Sequence, residues 1–384
     1  MIFSLLKIHC RKDPGLFPPV IEMRALWPLL ALMRADDSPC TSKPTPFHRL
    51  CVNNESIAVH CFLDGAKQPM SIEVRPHWDP VGARRFLHLI ETNGLEELGF
   101  TTLSHNKHLV TFEAEGEELQ TDGFKPKGLP KVPAAGGLIG YCSDSALFYF
   151  VRPDHADAEV LGLPFDCHTP FAEVVHGHEG FAPQEGSFKK CVLPETQVHC
   201  ATTKGGITIQ LHPFWAPIGV ARYLALVKAG FYTNLALHRV NSAIIQFGAA
   251  SEAHRKKFEH LAIVQIADDS HIKDPTIPAN PEKGLPRFRL AFAGAPVPNS
   301  RDAGTFFVHH PSGRHLGAER WEAGCGDVVN GKEVIDKIYN GYGESVNVQL
   351  LYTDEAAFKK KYPKLDYINE CSIVTQHRKR KSEF

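Results

Sequence analysis

The sequence predicts a mainly β protein in which a closed, helix-capped β-barrel occurs twice in tandem. Three observations lead there. An internal repeat runs through the chain, and such self-similarity decides architecture before any local pattern does. Alternating apolar and polar residues follow Gly-rich turns, the period-2 signature of half-buried strands. Thirty Gly and 28 Pro in 384 residues favour short elements and many turns over long helices.

The repeat is clearest between residues 78–90 (WDPVGARRFLHLI) and 215–227 (WAPIGVARYLALV), identical at six of 13 positions at a shift of 137. Upstream, Val59-His60-Cys61 recurs as Val198-His199-Cys200. Downstream, Lys-Gly-Leu-Pro at 127–130 recurs at 283–286, ALFYFV at 146–151 as AGTFFV at 303–308, and EVVHG at 173–177 as DVVNG at 327–331. Five blocks in preserved order read as a tandem duplication, with copies over about 48–186 and 193–372 joined by the polar stretch 183–190.

Each element of the second copy has a local cause. Residues 206–212 (GITIQLH) alternate after the Lys204-Gly205-Gly206 turn and predict the second strand of a hairpin. Pro217 opens a helix with apolar positions at 220, 223, 224 and 227 and a stop at Gly230. Residues 236–247 and 305–308 are β-type runs, and 251–286 is polar, Pro-rich and predicted to be a long loop. Residues 334–339 look helical after the Gly331 turn, giving two helices per copy.

Composition limits the function classes. With 42 Lys and Arg against 43 Asp and Glu, the chain as a whole is neither a basic nucleic-acid binder nor an acidic tail. No apolar run reaches the roughly 18 residues of a membrane-spanning helix. Ten Cys without a CxxC pair argue against a zinc ribbon, a thioredoxin-type site or a dense disulfide framework, and are expected to be buried thiols. His309, His310 and His315 cluster without a carboxylate or Cys at ligand spacing, so no metal centre is expected. Residues 1–47 read as either a leader removed after secretion, with translation from Met23, or a disordered extension in a cytoplasmic protein. The basic tail at 373–384, with Arg378-Lys-Arg-Lys381, reads as a solvated terminus.

The second copy resembles the cyclophilin-type peptidyl-prolyl isomerases over most of 193–372. The residues that carry the resemblance are the 215–227 helix, Gly230-Phe-Tyr, His238-Arg239-Val240, Gln246-Phe-Gly248, Ala291-Phe-Ala-Gly294, Thr305-Phe-Phe-Val308 and the 326–338 segment (GDVVNGKEVIDKI). The resemblance implies an eight-stranded antiparallel barrel whose outer groove binds X-Pro segments, working as a monomer, with no cofactor, nucleic acid or membrane. Arg239 stands where the family has its catalytic arginine. Gln246, Phe307, Ala291 and Leu316 fall on groove positions, Thr305 replaces a second groove glutamine, and His315 replaces a tryptophan. One residue is missing between Arg239 and Gln246, leaving Ala243 or Ile244 for an expected aromatic, and Trp321 is placed to refill the pocket from a displaced position. The loss of the tryptophan implies weak recognition of cyclic-peptide inhibitors.

The first copy offers Lys107 but no Arg between Arg85 and Arg152, and reads as a non-catalytic barrel. The resulting expectation is an isomerase in the second copy that assists folding of Pro-containing segments. The alternative is a pair of inactive modules that bind such segments or a partner protein.

Overall fold

In the 197–211 segment, a Gly-Gly turn between two alternating runs gives the hairpin the sequence predicts. Strand β9 (Gln197–Thr202) pairs with β10 (Gly205–Leu211) from Thr202↔Gly205 onward. The computed structural model describes residues 55–63, 69–92, 100–105, 109–114, 137–142, 147–151, 170–176, 188–193, 197–272, 284–310 and 316–374. The expected leader or extension, Lys107, His315 and the basic cluster at 378–381 lie outside these residues.

The first half contributes β1 (Ile57–Leu63), β2 (Met70–Val74), helix α1 (Pro80–Thr92), β3 (Phe100–His105), β4 (Leu109–Ala114), β5 (Leu138–Cys142), β6 (Leu147–Val151), β7 (Ala172–His176) and β8 (Phe188–Val192). The second half continues after β10 with α2 (Pro217–Ala229), β11 (Leu235–Ala236), β12 (Arg239–Val240) and β13 (Ile244–Phe247). Then follow α3 (Glu252–Lys257), α4 (Glu259–Ala262), β14 (Arg289–Phe292), β15 (Thr305–Val308) and β16 (Gly324–Asn330). The half closes with α5 (Lys332–Ile335), α6 (Val348–Thr353), α7 (Glu355–Lys361) and β17 (Tyr367–Val374).

The described strands form two antiparallel sheets. One runs β3-β4-β6-β5-β7-β2-β1-β8, the other β12-β13-β15-β14-β16-β10-β9-β17-β11. Matched strand for strand, the orders agree, with β11 added at one edge of the second. Only Leu237 and His238 separate β11 from β12, so these opposite edges lie within three Cα steps, about 11 Å. Nine strands laid flat would span about 38 Å, so the second sheet must curl back on itself.

Several sequence expectations are corrected here. Residues 188–190, read as connector, belong to β8, which pairs with β1. The 251–286 segment is not a bare loop, since Glu252–Lys257 and Glu259–Ala262 are helical. The helix expected over 334–339 is the shorter Lys332–Ile335, started by Gly331 at φ +80°. The second half therefore has more than two helices, and its sheet has nine strands rather than eight.

The two repeated helices obey one rule with different partners. Pro fills the first position of each, where no intrahelical N–H bond is lost. In α1, Asp79 Oδ1 accepts from Val81 N at 3.0 Å. In α2 the equivalent residue is Ala216, and the remote Asp269 takes over, accepting from Ile218 N and Gly219 N at 3.0 Å each. Gly230 ends α2 at φ +78°, a left-handed cap open to glycine.

α1 packs on α2, and one apolar core runs through both halves, including Phe86, Leu87 and Ile90 from α1 and Val220, Tyr223 and Leu224 from α2. Arg222, fully buried, is paired with Glu55 of the first half at 2.7 Å. Arg84 donates to Ser270 O at 2.8 Å and to Trp215 O at 3.1 Å. The described residues from Glu55 onward belong to one compact unit.

The cysteine expectation also changes. Cys61 is bonded to Cys191 and Cys200 to Cys371, while Cys142 is disulfide-bonded as well. The first two bridges occupy equivalent places, joining β1 to β8 and β9 to β17 across directly opposed positions. Their separations of 130 and 171 residues leave no local sequence signal. Loops of that length are strongly constrained by closure, so Cys200→Ser should lower unfolding free energy by about 2–5 kcal/mol. Thermal unfolding of both proteins with and without reductant measures this, and reduction should cost the variant less than the wild type because this bridge is already gone.

Candidate functional site

The site is built on the hairpin of β12 and β13 at the edge of the curled sheet. Arg239 is opposite Gln246, Gln246 opposite Phe306, and Phe306 opposite Ala291. Cross-strand neighbours share a face and successive residues alternate. Arg239, Gln246, Phe306 and Ala291 therefore share one face, and Val240, Ile245, Phe307 and Leu290 the other. The second set joins the core beneath α2, so the first set faces outward.

Asn241 shapes the turn between the strands. Its Oδ1 accepts from Ala243 N and Ile244 N, both at 2.8 Å, an Asx-type turn that fixes where β13 begins. His309 N donates to Ala243 O at 2.8 Å and ties the turn to the end of β15.

Arg239 remains 38% exposed. Its Nε donates to Glu344 Oε2 at 2.7 Å, and its Nη1 to Gln246 Oε1 at 3.3 Å. The hydrogen bond from Arg239 and the second one from Asn241 hold the Glu344 carboxyl below its usual range.

The neighbouring His238 is buried, and that burial pushes its pKa down to about 4 against a hydrogen bond involving Ala236. Its folded value lies below its unfolded one, so the unfolded chain takes up the proton first. Stability should fall as pH drops from about 6.5 towards 4 and be unaffected by His238 above that window. Chemical denaturation across this range, compared with His238→Gln, measures the contribution.

The outward apolar cluster contains Ile244, Ala291 and Leu316, joined by Leu285, Phe306 and Val308. Ile244 rather than Ala243 fills the place of the missing aromatic, with Ala243 packed beside it. Two expected groove residues face inward instead. Phe307 stacks on Phe247 with ring centres 5.1 Å apart, and Thr305 is wholly buried. The register places Phe306 on the groove side, a one-residue difference that reverses the face. Trp321 is half-buried over Gly294, where an added Cβ would come within 2.7 Å of it. Beside the cluster lies a hollow of about 300 Å³ bordered by Gln246, Gly248, Ala293, Gly294 and Tyr352. Gln246 thus links Arg239 to an open depression.

Residues 197–357 match the sequence model of the family described as "Cyclophilin type peptidyl-prolyl cis-trans isomerase/CLD". A peptidyl-prolyl cis-trans isomerase of Acinetobacter baylyi is 30% identical over 164 residues, which cover 41% of this chain and 80% of that protein. The chain belongs to the cyclophilin-type peptidyl-prolyl cis-trans isomerase family. A probable peptidyl-prolyl cis-trans isomerase of Brucella suis is 29% identical over 150 residues, 38% of this chain and 74% of its own length. Among solved structures, a cyclophilin-type isomerase of Cryptosporidium parvum aligns with 47% of this chain and 99% of its own at 17% identity and a TM-score of 0.33. The cyclophilin-type domain lies in the second half, and it holds every outward-facing residue described above.

Sequence reasoning missed Glu344, Asn241, Phe306 and Leu285. Glu344 is 105 residues from Arg239, so no local spacing could have linked them. Phe306 was within reach, since alternation along 305–308 allows either Phe to face out and only the strand register decides.

Proposed function

We propose that residues 193–372 isomerise X-Pro bonds in flexible polypeptide segments, with Arg239 as the catalytic residue and the first half as a non-catalytic structural partner. The Arg239–Gln246 pair on the outward face, beside an open hollow, is the observation that carries this reading.

Amide resonance opposes rotation by about 18–20 kcal/mol, and X-Pro bonds turn over in tens of seconds or more unaided. A donor aimed at the prolyl nitrogen takes its lone pair out of resonance as the bond twists. Binding is then stronger in the transition state than in either ground state. Among the described residues, Glu344 takes Nε and Gln246 takes Nη1, which leaves Nη2 for that task. Ile244, Ala291, Phe306 and Leu316, buried in one apolar cluster, are the side chains that part to take the proline ring. No nucleophile, metal or cofactor enters the step.

The same reading extends to the architecture and the setting. The matched strand orders support two cyclophilin-like barrels derived by duplication, the first degenerate at the arginine position. The disulfides, with the leader-like segment after Met23, support maturation in an oxidising compartment.

One observation favours a binding module without catalysis. Phe306 is 2% exposed and packed in one cluster with Leu285 and Leu316, so a proline ring enters only if that cluster opens. A protease-coupled assay on an X-Pro peptide, paired with binding of the same peptide, separates the readings. Turnover supports the isomerase; saturable binding without turnover supports the module.

A further inference from the structure

The segment carrying Glu344 is built into the arginine hairpin. Gly343 forms an antiparallel bridge with Val240, the residue after Arg239. The segment is held from the other side by Tyr339 N, which donates to Asp366 Oδ2 at 2.7 Å, and by Tyr342 packed edge-on against Tyr362. From this anchored position the Glu344 carboxylate reaches two groups. Oε2 accepts from Arg239 Nε at 2.7 Å, and Oε1 accepts from Asn241 Nδ2. Asn241 in turn fixes the turn between β12 and β13 through Ala243 N and Ile244 N. One carboxylate thereby sets the guanidinium and the turn that carries it relative to Gln246 and Ile244.

We propose that Glu344 is a positioning residue for isomerisation, holding Arg239 so that Nη2 points over the outward face while Gln246 steadies Nη1. The proposal rests on Arg239 being the catalytic residue. An arginine at a sheet edge has several freely rotating torsions, and a transition-state donor is effective only when it is already in place. Two acceptors on different elements, taking Nε and Nη1, define the plane of the guanidinium as one acceptor cannot. At 38% and 60% exposure the pair adds little to fold stability. Its effect should therefore appear in turnover, not in unfolding.

The test uses the full chain as wild type, Glu344→Ala and Glu344→Gln, with cis–trans exchange of an Ala-Pro peptide followed by NMR. The Arg239 Nε–H signal is recorded in parallel. Glu344→Ala should lower kcat about ten- to hundredfold with KM little changed, the scale expected of a misplaced catalytic group. The Nε–H proton should lose its protection from exchange while the melting temperature stays put. Glu344→Gln, which keeps one acceptor oxygen, should fall between. A Glu344→Ala enzyme as fast as wild type or faster, or a change confined to KM, overturns the proposal and leaves the isomerase reading intact. A wild type without turnover overturns the isomerase reading itself, whatever the Nε–H signal shows.

Discussion

Arg239→Ala is expected to cut kcat/KM on an X-Pro peptide by about 10²–10³, the usual scale for removing one preorganised donor. Arg239→Lys should recover little of this. A Lys ammonium carries charge, but it has no planar fork able to engage Glu344, Gln246 and substrate together. Peptide affinity should change much less than turnover, because the proposed seat of the proline ring is the apolar cluster of Ile244, Ala291 and Leu316 and not Arg239. Steady-state kinetics with a protease-coupled readout, set beside calorimetric binding, tests both statements. A variant retaining more than about a third of wild-type turnover would remove Arg239 from the mechanism.

Glu55→Ala should produce the largest loss of stability. Arg222 is wholly buried and Glu55 is 2% exposed, and the two meet at 2.7 Å where the halves join. Removing one partner of such a pair leaves an uncompensated charge, which costs about 3–5 kcal/mol. Arg222 would retain the carbonyls of Leu261 and Val264, which accept hydrogen bonds but supply no counter-charge. Burial raises the Glu55 pKa against the pull of Arg222, so Glu55→Gln, which keeps the shape and loses the charge, should be milder than Glu55→Ala. Denaturant titration of the three proteins measures the order. The shared core predicts further that residues 193–384 expressed alone will be much less stable than the full chain.

How much of this could be read from sequence depends on the range of the interaction. The 197–211 hairpin, both Pro-initiated helices and the Gly230 stop came from neighbours in the chain, and the structure has each of them. The helix repeat is matched by α1 and α2, at 13 residues each. Arg239 and Gln246 were found through a motif and lie opposite each other. Failures began where partners are distant. The Cys200–Cys371 bridge, the Glu55–Arg222 pair and the Glu344 clamp each span more than 100 residues. The exchange of Phe307 for Phe306 has another cause. A motif aligned along one strand says nothing of which face its residues take, and β15 takes its register from β13 and β14.

Isomerase activity, and the part of Arg239 in it, are decided by the effect of the full chain on cis–trans exchange of an Ala-Pro peptide, measured by NMR without a coupling protease. Exchange should be faster than in the free peptide, proportional to protein concentration, and returned towards the free-peptide rate by Arg239→Ala. An exchange rate equal to that of free peptide, at protein concentrations where binding is visible in the same spectra, would contradict the isomerase reading.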